Sequence, residues 1–157
     1  MNPKDAFDRF AETTALVVGD VMLDAYLWGR VERISSEAPI PVVHVTERSE
    51  RLGGAANVAL NMRSLGAKPI VVSLIGNDSH ADQLHRMFTE RGLSTDGLLR
   101  SAERRTTVKT RVISGHQHIV RVDEEIEADL PPADERSLLA HIGKLIAEHR
   151  PGVIVLE

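Results

Sequence analysis

The chain has 157 residues and a formal net charge of −4, from 19 Lys and Arg against 23 Asp and Glu. Its content of 42% hydrophobic and 27% charged residues is ordinary for a globular protein and argues against disorder. The absence of cysteine excludes disulfides and thiolate metal sites. The mild acidity gives no reason to expect nucleic acid or a membrane as a partner. The longest apolar runs are too short to span a bilayer, so we expect a cytoplasmic protein.

The apolar segments predict a chain in which strands alternate with helices. Continuous apolar strands of this kind are typical of an α/β fold with a doubly wound, mostly parallel sheet that is covered on both faces. The segment 25–45 differs, because its residues alternate and its prolines discourage helix, and we interpret it as a small β lid that projects from the main sheet. In chain order, we expect a helix over 4–11, a strand over 15–18, two antiparallel lid strands within 25–45, a helix over 54–65, a strand over 70–75, a helix over 79–91, a hairpin of 106–113 and 117–123, a helix over 134–149 and a strand over 153–156. We expect Leu139 and Ile146 to be among the inward-facing residues of the helix over 134–149.

The sharpest local feature is the pair Gly53-Gly54 at the predicted start of a helix, followed by Asn57. Two glycines let the backbone approach a ligand with no Cβ in the way. The N–H groups of a helix start attract electronegative oxygens, and the Asn57 amide can both donate to and accept from a sugar hydroxyl. The same pattern fits a tight strand-to-helix junction that binds nothing, and the spacing alone does not separate the two interpretations.

The segment 53–59, followed by Gly66 and Gly76, resembles the first signature of the ribokinase (PfkB-type) sugar kinases. Segments 18–24, 33–39, 107–113 and 121–123 are similar to the heptose-7-phosphate kinase domain of ADP-heptose synthases. The resemblance covers the whole chain but only the N-terminal half of that domain, so we expect residues 1–157 to form a truncated ribokinase-like unit. It implies the ATP- and Mg²⁺-dependent phosphorylation of the anomeric hydroxyl of D-glycero-β-D-manno-heptose 7-phosphate, a step towards ADP-heptose and the lipopolysaccharide core.

The resemblance also implies which residues bind the sugar. Asp24 corresponds to the carboxylate that holds sugar hydroxyls in these kinases, and carboxylates accept strong hydrogen bonds from vicinal hydroxyls. Gly53, Gly54 and Asn57 would line the same sugar. The alternative for Asp24 is a turn or cap aspartate, and Asp20 is as well explained by a role in stabilising the loop after the first strand.

Lys109 and Arg111 are two residues apart on a predicted strand, so both side chains project to one face about 6–7 Å apart. Two cations on one face can hold the phosphate of a heptose 7-phosphate. The alternative is a solvated strand face. With a two-residue turn at Gly115-His116, Arg121 falls nearly opposite Thr110, on the other face of the hairpin.

The predicted lid carries four apolar side chains, and in ribokinase-like proteins this lid covers the sugar and often forms a dimer interface. Burial of aromatic side chains stabilises association, which favours a homodimer. The alternative is that they pack on their own chain. These residues are Tyr26, Trp28, Val43 and Val45.

The family deprotonates the attacking hydroxyl with the aspartate of a Gly-Ala-Gly-Asp motif, and this sequence contains no such motif. It also contains no Walker A loop, no GxGxxG fingerprint and no HExxH pattern, so we assign no catalytic residue and no metal ligand to it. We expect the base and most of the nucleotide site to belong to the C-terminal half of the domain. Two hypotheses follow: part of a heptose-phosphate kinase, or a non-catalytic sugar-phosphate-binding or dimerisation module.

Overall fold

The computed structural model of the protein describes residues 3–157, in which the chain forms four helices and eight strands. None of the helices in this part of the chain is both long enough and apolar enough to cross a membrane. The helices are α1 (Pro3–Glu12), α2 (Ala55–Ser64), α3 (Ser79–Glu90) and α4 (Pro132–His149), and the strands are β1 (Thr14–Val18), β2 (Val21–Ile34), β3 (Pro41–Gly54), β4 (Lys68–Gly76), β5 (Leu98–Ser101), β6 (Thr107–Ser114), β7 (Gln117–Glu124) and β8 (Val153–Leu156).

A parallel sheet in the order β5-β4-β1-β8 forms the centre of the fold. Successive residues of its middle strands point to opposite faces. Val17 and Val71 pack in the core with α2 and α3, whereas Leu16 and Val72 pack with Leu145 of α4. Both faces are therefore covered by helices, which confirms the predicted doubly wound α/β arrangement.

A second sheet, in the order β3-β2-β6-β7, joins the lid strands to the hairpin. Strands β2 and β3 are antiparallel, as expected, but each has 14 residues rather than the short stretches predicted within 25–45. Strand β6 pairs in parallel with β2, a long-range contact that the local sequence pattern did not indicate. Only two residues separate β1 from β2, so the chain passes directly from one sheet into the other.

Two local predictions were wrong. The short strand β5 was not predicted, because its four residues show neither a clear alternation nor a long apolar run. Helix α4 buries Leu145 and leaves Leu138 and Ile142 partly buried, but Leu139 is 59% exposed and Ile146 is 37% exposed. The buried stripe of α4 is therefore narrower than the predicted one, which included Leu139 and Ile146.

The register of the β6–β7 hairpin also differs from the prediction. The turn is the expected one, since Ser114 pairs with Gln117 across Gly115-His116. A bulge then shifts the pairing by one residue, because Ile113 pairs with His118 while Val112 pairs with Val120. Arg121 consequently lies opposite Arg111, not opposite Thr110, and belongs to the same face as Arg111.

Candidate functional site

The junction between β3 and α2 requires glycine at Gly54. This residue has φ 58° and ψ −139°, a conformation that a residue with a Cβ rarely adopts. A Cβ there would also lie 2.1 Å from the carbonyl oxygen of Asp20. That carbonyl accepts a hydrogen bond from the amide of Ala55 at 3.0 Å, which fixes the first turn of α2 against the loop after β1. Asp20 thus stabilises the loop through its backbone.

Asp24 lies on β2, directly beside the glycine pair. A Cβ on Gly53 would lie 2.4 Å from the Asp24 Oδ2 atom, so the missing side chain is what leaves room for the carboxylate. The other oxygen, Oδ1, accepts a hydrogen bond from Nη1 of Arg111 at 2.5 Å. The side chains of Asp24 and Arg111 are only 19% and 23% exposed. This partial burial strengthens the ion pair and fixes the direction of the carboxylate.

Asp24 and Asn57 line one cavity of about 420 Å³, bounded by the lid strands and by α2. A cavity of this size falls within the range of about 300–1,000 Å³ that is usual for small-molecule sites. The Asn57 side chain is exposed to the cavity from the first turn of α2. Of the six predicted site residues, Asp24 and Asn57 line this cavity. Gly53 lies against the Asp24 carboxylate and Gly54 follows it at the junction with α2, but neither glycine is part of the lining.

Lys109 and Arg111 project to the same face of the second sheet as Asp24, but neither is part of the cavity lining. Nζ of Lys109 donates to Glu125 at 2.9 Å and lies 3.4 Å from Asp123. The hydrogen bonds and charge of Glu125, supported by Asp123, raise the pKa of Lys109 above its ordinary value. The charges of both cations are thus balanced by carboxylates of this chain, and their predicted binding of a phosphate stays a prediction.

Five lining residues were not predicted as sugar ligands; three of them can form polar contacts, namely Tyr26, Arg51 and Arg91, and the other two are Leu52 and Leu60. Arg51 on β3 lies directly opposite Asp24 on β2 in the strand register. Its guanidinium lies 5.2 Å from the centre of the Tyr26 ring. The guanidinium of Arg111 lies 5.4 Å from the same ring. Sequence reasoning missed Arg51 because it ended the second lid strand near residue 45. It missed Arg91 because nothing local connects the end of α3 with the lid.

The apolar lid residues have mixed surroundings. Tyr26 and Trp28 stack with their ring centres 6.2 Å apart on β2. Both rings are partly buried, as are Val43 and Val45 on β3. Contacts within the chain therefore account for part of this surface, and the rest is open to solvent.

A metal-binding cluster or a phosphate-binding motif among the described residues would indicate a site for ATP and Mg²⁺. No group of three or more His, Asp or Glu side chains within 3–157 is placed to hold a metal ion. No segment of this sequence carries the Gly-Ala-Gly-Asp motif that the resemblance associates with the transferring phosphoryl group. We therefore assign none of these residues to ATP or Mg²⁺.

The chain is similar in sequence to curated proteins and in fold to solved structures. The chain is 46% identical over 136 residues to the bifunctional protein HldE of Citrifermentans bemidjiense, covering 87% of this chain and 28% of that protein. It is 44% identical over 142 residues to the D-beta-D-heptose 7-phosphate kinase of Bordetella bronchiseptica, covering 90% of this chain and 44% of that one. Among solved structures, ribokinase from Giardia lamblia matches 92% of this chain and 44% of its own, with a TM-score of 0.66 and 14% identity.

The similarity to the Giardia ribokinase structure establishes the ribokinase-like fold. The chain spans less than half the length of the two curated relatives. The family model described as pfkB family carbohydrate kinase matches residues 12–152, which is most of the chain. The glycine pair, the acidic residue beside it and the asparagine of the following helix all fall within the matched segment. The chain belongs to the pfkB family of carbohydrate kinases.

Proposed function

We propose that this chain forms the sugar-phosphate-binding part of a heptose 7-phosphate kinase, which phosphorylates the anomeric hydroxyl of D-glycero-β-D-manno-heptose 7-phosphate for ADP-heptose synthesis. The observation that carries the proposal is the single cavity that Asp24 and Asn57 share. The names of the HldE and heptose kinase relatives support the choice of sugar.

The residues of the cavity suit a polyhydroxylated ligand. The Asp24 carboxylate accepts hydrogen bonds from neighbouring hydroxyls, and Arg111 holds it in place without covering both oxygens. The Asn57 amide offers a donor and an acceptor at the start of α2. The absence of a Cβ at Gly53 leaves room for the Asp24 carboxylate beside it. Together these groups would orient the sugar ring, and orientation of the reacting hydroxyl is a large part of catalysis in phosphoryl transfer.

ATP is the phosphoryl donor that membership of a carbohydrate kinase family implies. Mg²⁺ would accompany it, as in phosphoryl transfer generally. The part played by this chain is then to bind and orient the acceptor sugar, in a reaction that we expect to take place in the cytoplasm.

Calorimetric titration with heptose 7-phosphate tests the site. We expect the purified chain to bind this ligand, and we expect Asp24→Ala and Asn57→Ala each to weaken binding at least about tenfold, since each removes a hydrogen bond to the sugar. Asn61→Ala is the matched control, because Asn61 lies one turn further along α2 and does not line the cavity. Unchanged binding in both site variants, with the control also unchanged, would contradict the proposal.

The alternative hypothesis is a non-catalytic sugar-phosphate-binding module, and the missing Gly-Ala-Gly-Asp motif favours it for the 157 residues by themselves. We expect no ATP-dependent phosphorylation of the heptose by this chain alone. Turnover in a coupled assay for ADP release, with a heat-inactivated sample as the control, would refute that expectation. Turnover that requires a longer chain would support the kinase hypothesis over the binding module.

We also infer a homodimer formed through the lid strands. The support is that the lid keeps apolar side chains partly open to solvent, including Tyr26, Trp28, Val43 and Val45, and that Ile34 and Ile40 near its end are 60% and 57% exposed. Val43→Glu should shift the sedimentation coefficient towards that of a monomer. Val120→Glu, at the other edge of the same sheet, is the control. A monomeric wild-type protein at high concentration would rule the dimer out.

A further inference from the structure

Four cationic side chains surround the candidate sugar site, and they fall into two classes. Lys109 and Arg111 are paired with carboxylates of this chain. Arg51 and Arg91 line the cavity, and within the described residues neither forms an ion pair with a carboxylate. A cavity that contains two guanidinium groups without acidic partners is suited to an anion.

The two arginines reach the cavity from different elements. Arg51 lies on β3 opposite Asp24, and its guanidinium carbon lies over the Tyr26 ring, 5.2 Å from the ring centre. This stacking restricts the side chain before any ligand binds, so less conformational entropy is lost on binding. Arg91 is the C-cap residue of α3, where its backbone amide donates to carbonyls of that helix, and it lines the cavity from this helix end. A ligand that contacts both arginines would bridge β3 and the end of α3.

We infer that Arg51 and Arg91 form the phosphate subsite of this cavity and make it selective for a phosphorylated sugar. The inference rests on the proposed function for its ligand, since Asp24 and Asn57 would hold the hydroxyls of the same molecule. Guanidinium groups bind phosphate oxygens with two parallel hydrogen bonds, and two such groups match the charge of a phosphate monoester.

This assignment differs from the pair Lys109 and Arg111 that the sequence predicts. To bind a phosphate, Lys109 would have to leave Glu125, which it contacts at 2.9 Å, and Arg111 would have to leave Asp24 at 2.5 Å. Release of Asp24 would also remove the contact that orients the carboxylate for the sugar. Arg111 is accordingly a positioning residue for Asp24, and the phosphate interacts with the arginines that have no such partner.

The test compares a phosphorylated with an unphosphorylated ligand. Dissociation constants for heptose 7-phosphate, for the corresponding heptose and for inorganic phosphate are measured by calorimetry on the purified chain. The variants are Arg51→Ala, Arg91→Ala and Lys109→Ala, with Arg51→Gln as a milder second variant. Matched controls are Arg48→Ala, on the opposite face of β3, and Arg86→Ala, which is on α3 but outside the cavity lining.

We expect Arg51→Ala and Arg91→Ala each to raise the dissociation constant for heptose 7-phosphate at least about tenfold and that for the heptose less than about twofold. The controls should change neither constant. Retention of wild-type affinity for heptose 7-phosphate in both variants would overturn the inference, as would an equal loss for both sugars. Selective loss in Lys109→Ala in place of the arginine variants would overturn it in favour of the strand pair.

The outcome for the subsite is separable from that for the proposed function. Binding of inorganic phosphate that depends on Arg51 and Arg91, without binding of either sugar, would support the subsite and refute the heptose site. Binding of both sugars that is indifferent to the two arginines would support the proposed function and refute the subsite. Failure of the wild-type chain to bind any of the three ligands would refute both.

Discussion

The substitution Gly53→Ala tests whether the shape of the glycine pair sets the position of the Asp24 carboxylate. A Cβ at residue 53 would lie 2.4 Å from Asp24 Oδ2 and 2.8 Å from Cγ of Met22. Both distances are shorter than real side chains tolerate, so the carboxylate must move. Because Oδ1 is bonded to Arg111 at 2.5 Å, that movement also disturbs the ion pair.

The magnitude follows from the bonds that are lost. A hydrogen bond to a charged group contributes about 1.5–3 kcal/mol. If the displaced carboxylate loses one such bond to the sugar, the affinity for the sugar should fall about tenfold to a hundredfold. Crowding against Met22 should also lower the free energy of unfolding by about 1–3 kcal/mol. The lower stability should not account for the lower affinity, because nearly all molecules of the variant remain folded in the absence of denaturant.

Calorimetry with heptose 7-phosphate and urea unfolding measure the two effects separately. Gly143→Ala is the matched control, because a Cβ there has no neighbour within 4 Å and alanine favours helix by about 1 kcal/mol. In the double variant with Asp24→Asn, Gly53→Ala should cause little further loss of affinity, because both changes act on the same carboxylate. Wild-type affinity in Gly53→Ala, or full additivity in the double variant, would refute the reasoning.

Two further predictions concern Asp78, which caps α3 by accepting from the amide of Ala81 and also accepts from the buried amide of Thr106, both at 2.9 Å. Asp78→Ala should lower the free energy of unfolding in urea by about 2–4 kcal/mol, about 1 for the cap and about 1–3 for the unpaired amide, and a change below about 1 kcal/mol would contradict this. Burial raises the pKa of the Asp78 carboxyl, but the amides of Thr106 and Ala81, the Thr106 hydroxyl and the charge of His80 together outweigh it and hold that pKa below its ordinary value of 3.8. In acid the unfolded chain therefore binds the proton first, so the stabilisation is complete above about pH 5 and is lost as the pH falls through the folded pKa. The stability difference between wild type and Asp78→Ala should shrink on acidification below pH 3.8, and a difference that does not change with pH would contradict the pKa shift.

Local sequence patterns predicted the elements whose boundaries are set by local chemistry. Gly54 and Gly66 enclose α2, and Asp78 caps α3. The apolar runs of β1 and β4 predicted the buried strands, because a strand with helices on both sides has no polar face. The combination of Asp24 and Asn57 in one cavity followed from the family resemblance, and periodicity alone gave no indication of it.

The features of the site that were missed depend on contacts between segments that the local pattern does not connect. The partner of a cation on a strand is set by the register of neighbouring strands, and one extra residue near Ile119 moved Arg121 to the opposite face from the one predicted. Lys109 finds Glu125 only because β7 folds back beside β6. Arg91 reaches the lid from a helix end about 40 residues away in sequence. The spacing of residues along the chain does not indicate such contacts.

The short passage between the two sheets has a mechanical consequence. Only Gly19 and Asp20 link β1 to β2, and the Asp20 carbonyl holds the first turn of α2 through Ala55. A rotation of β2 about this link would therefore displace the first turn of α2, which carries Asn57. The positions of Asp24 and Asn57 on the two sides of the cavity are in this way connected through one short segment.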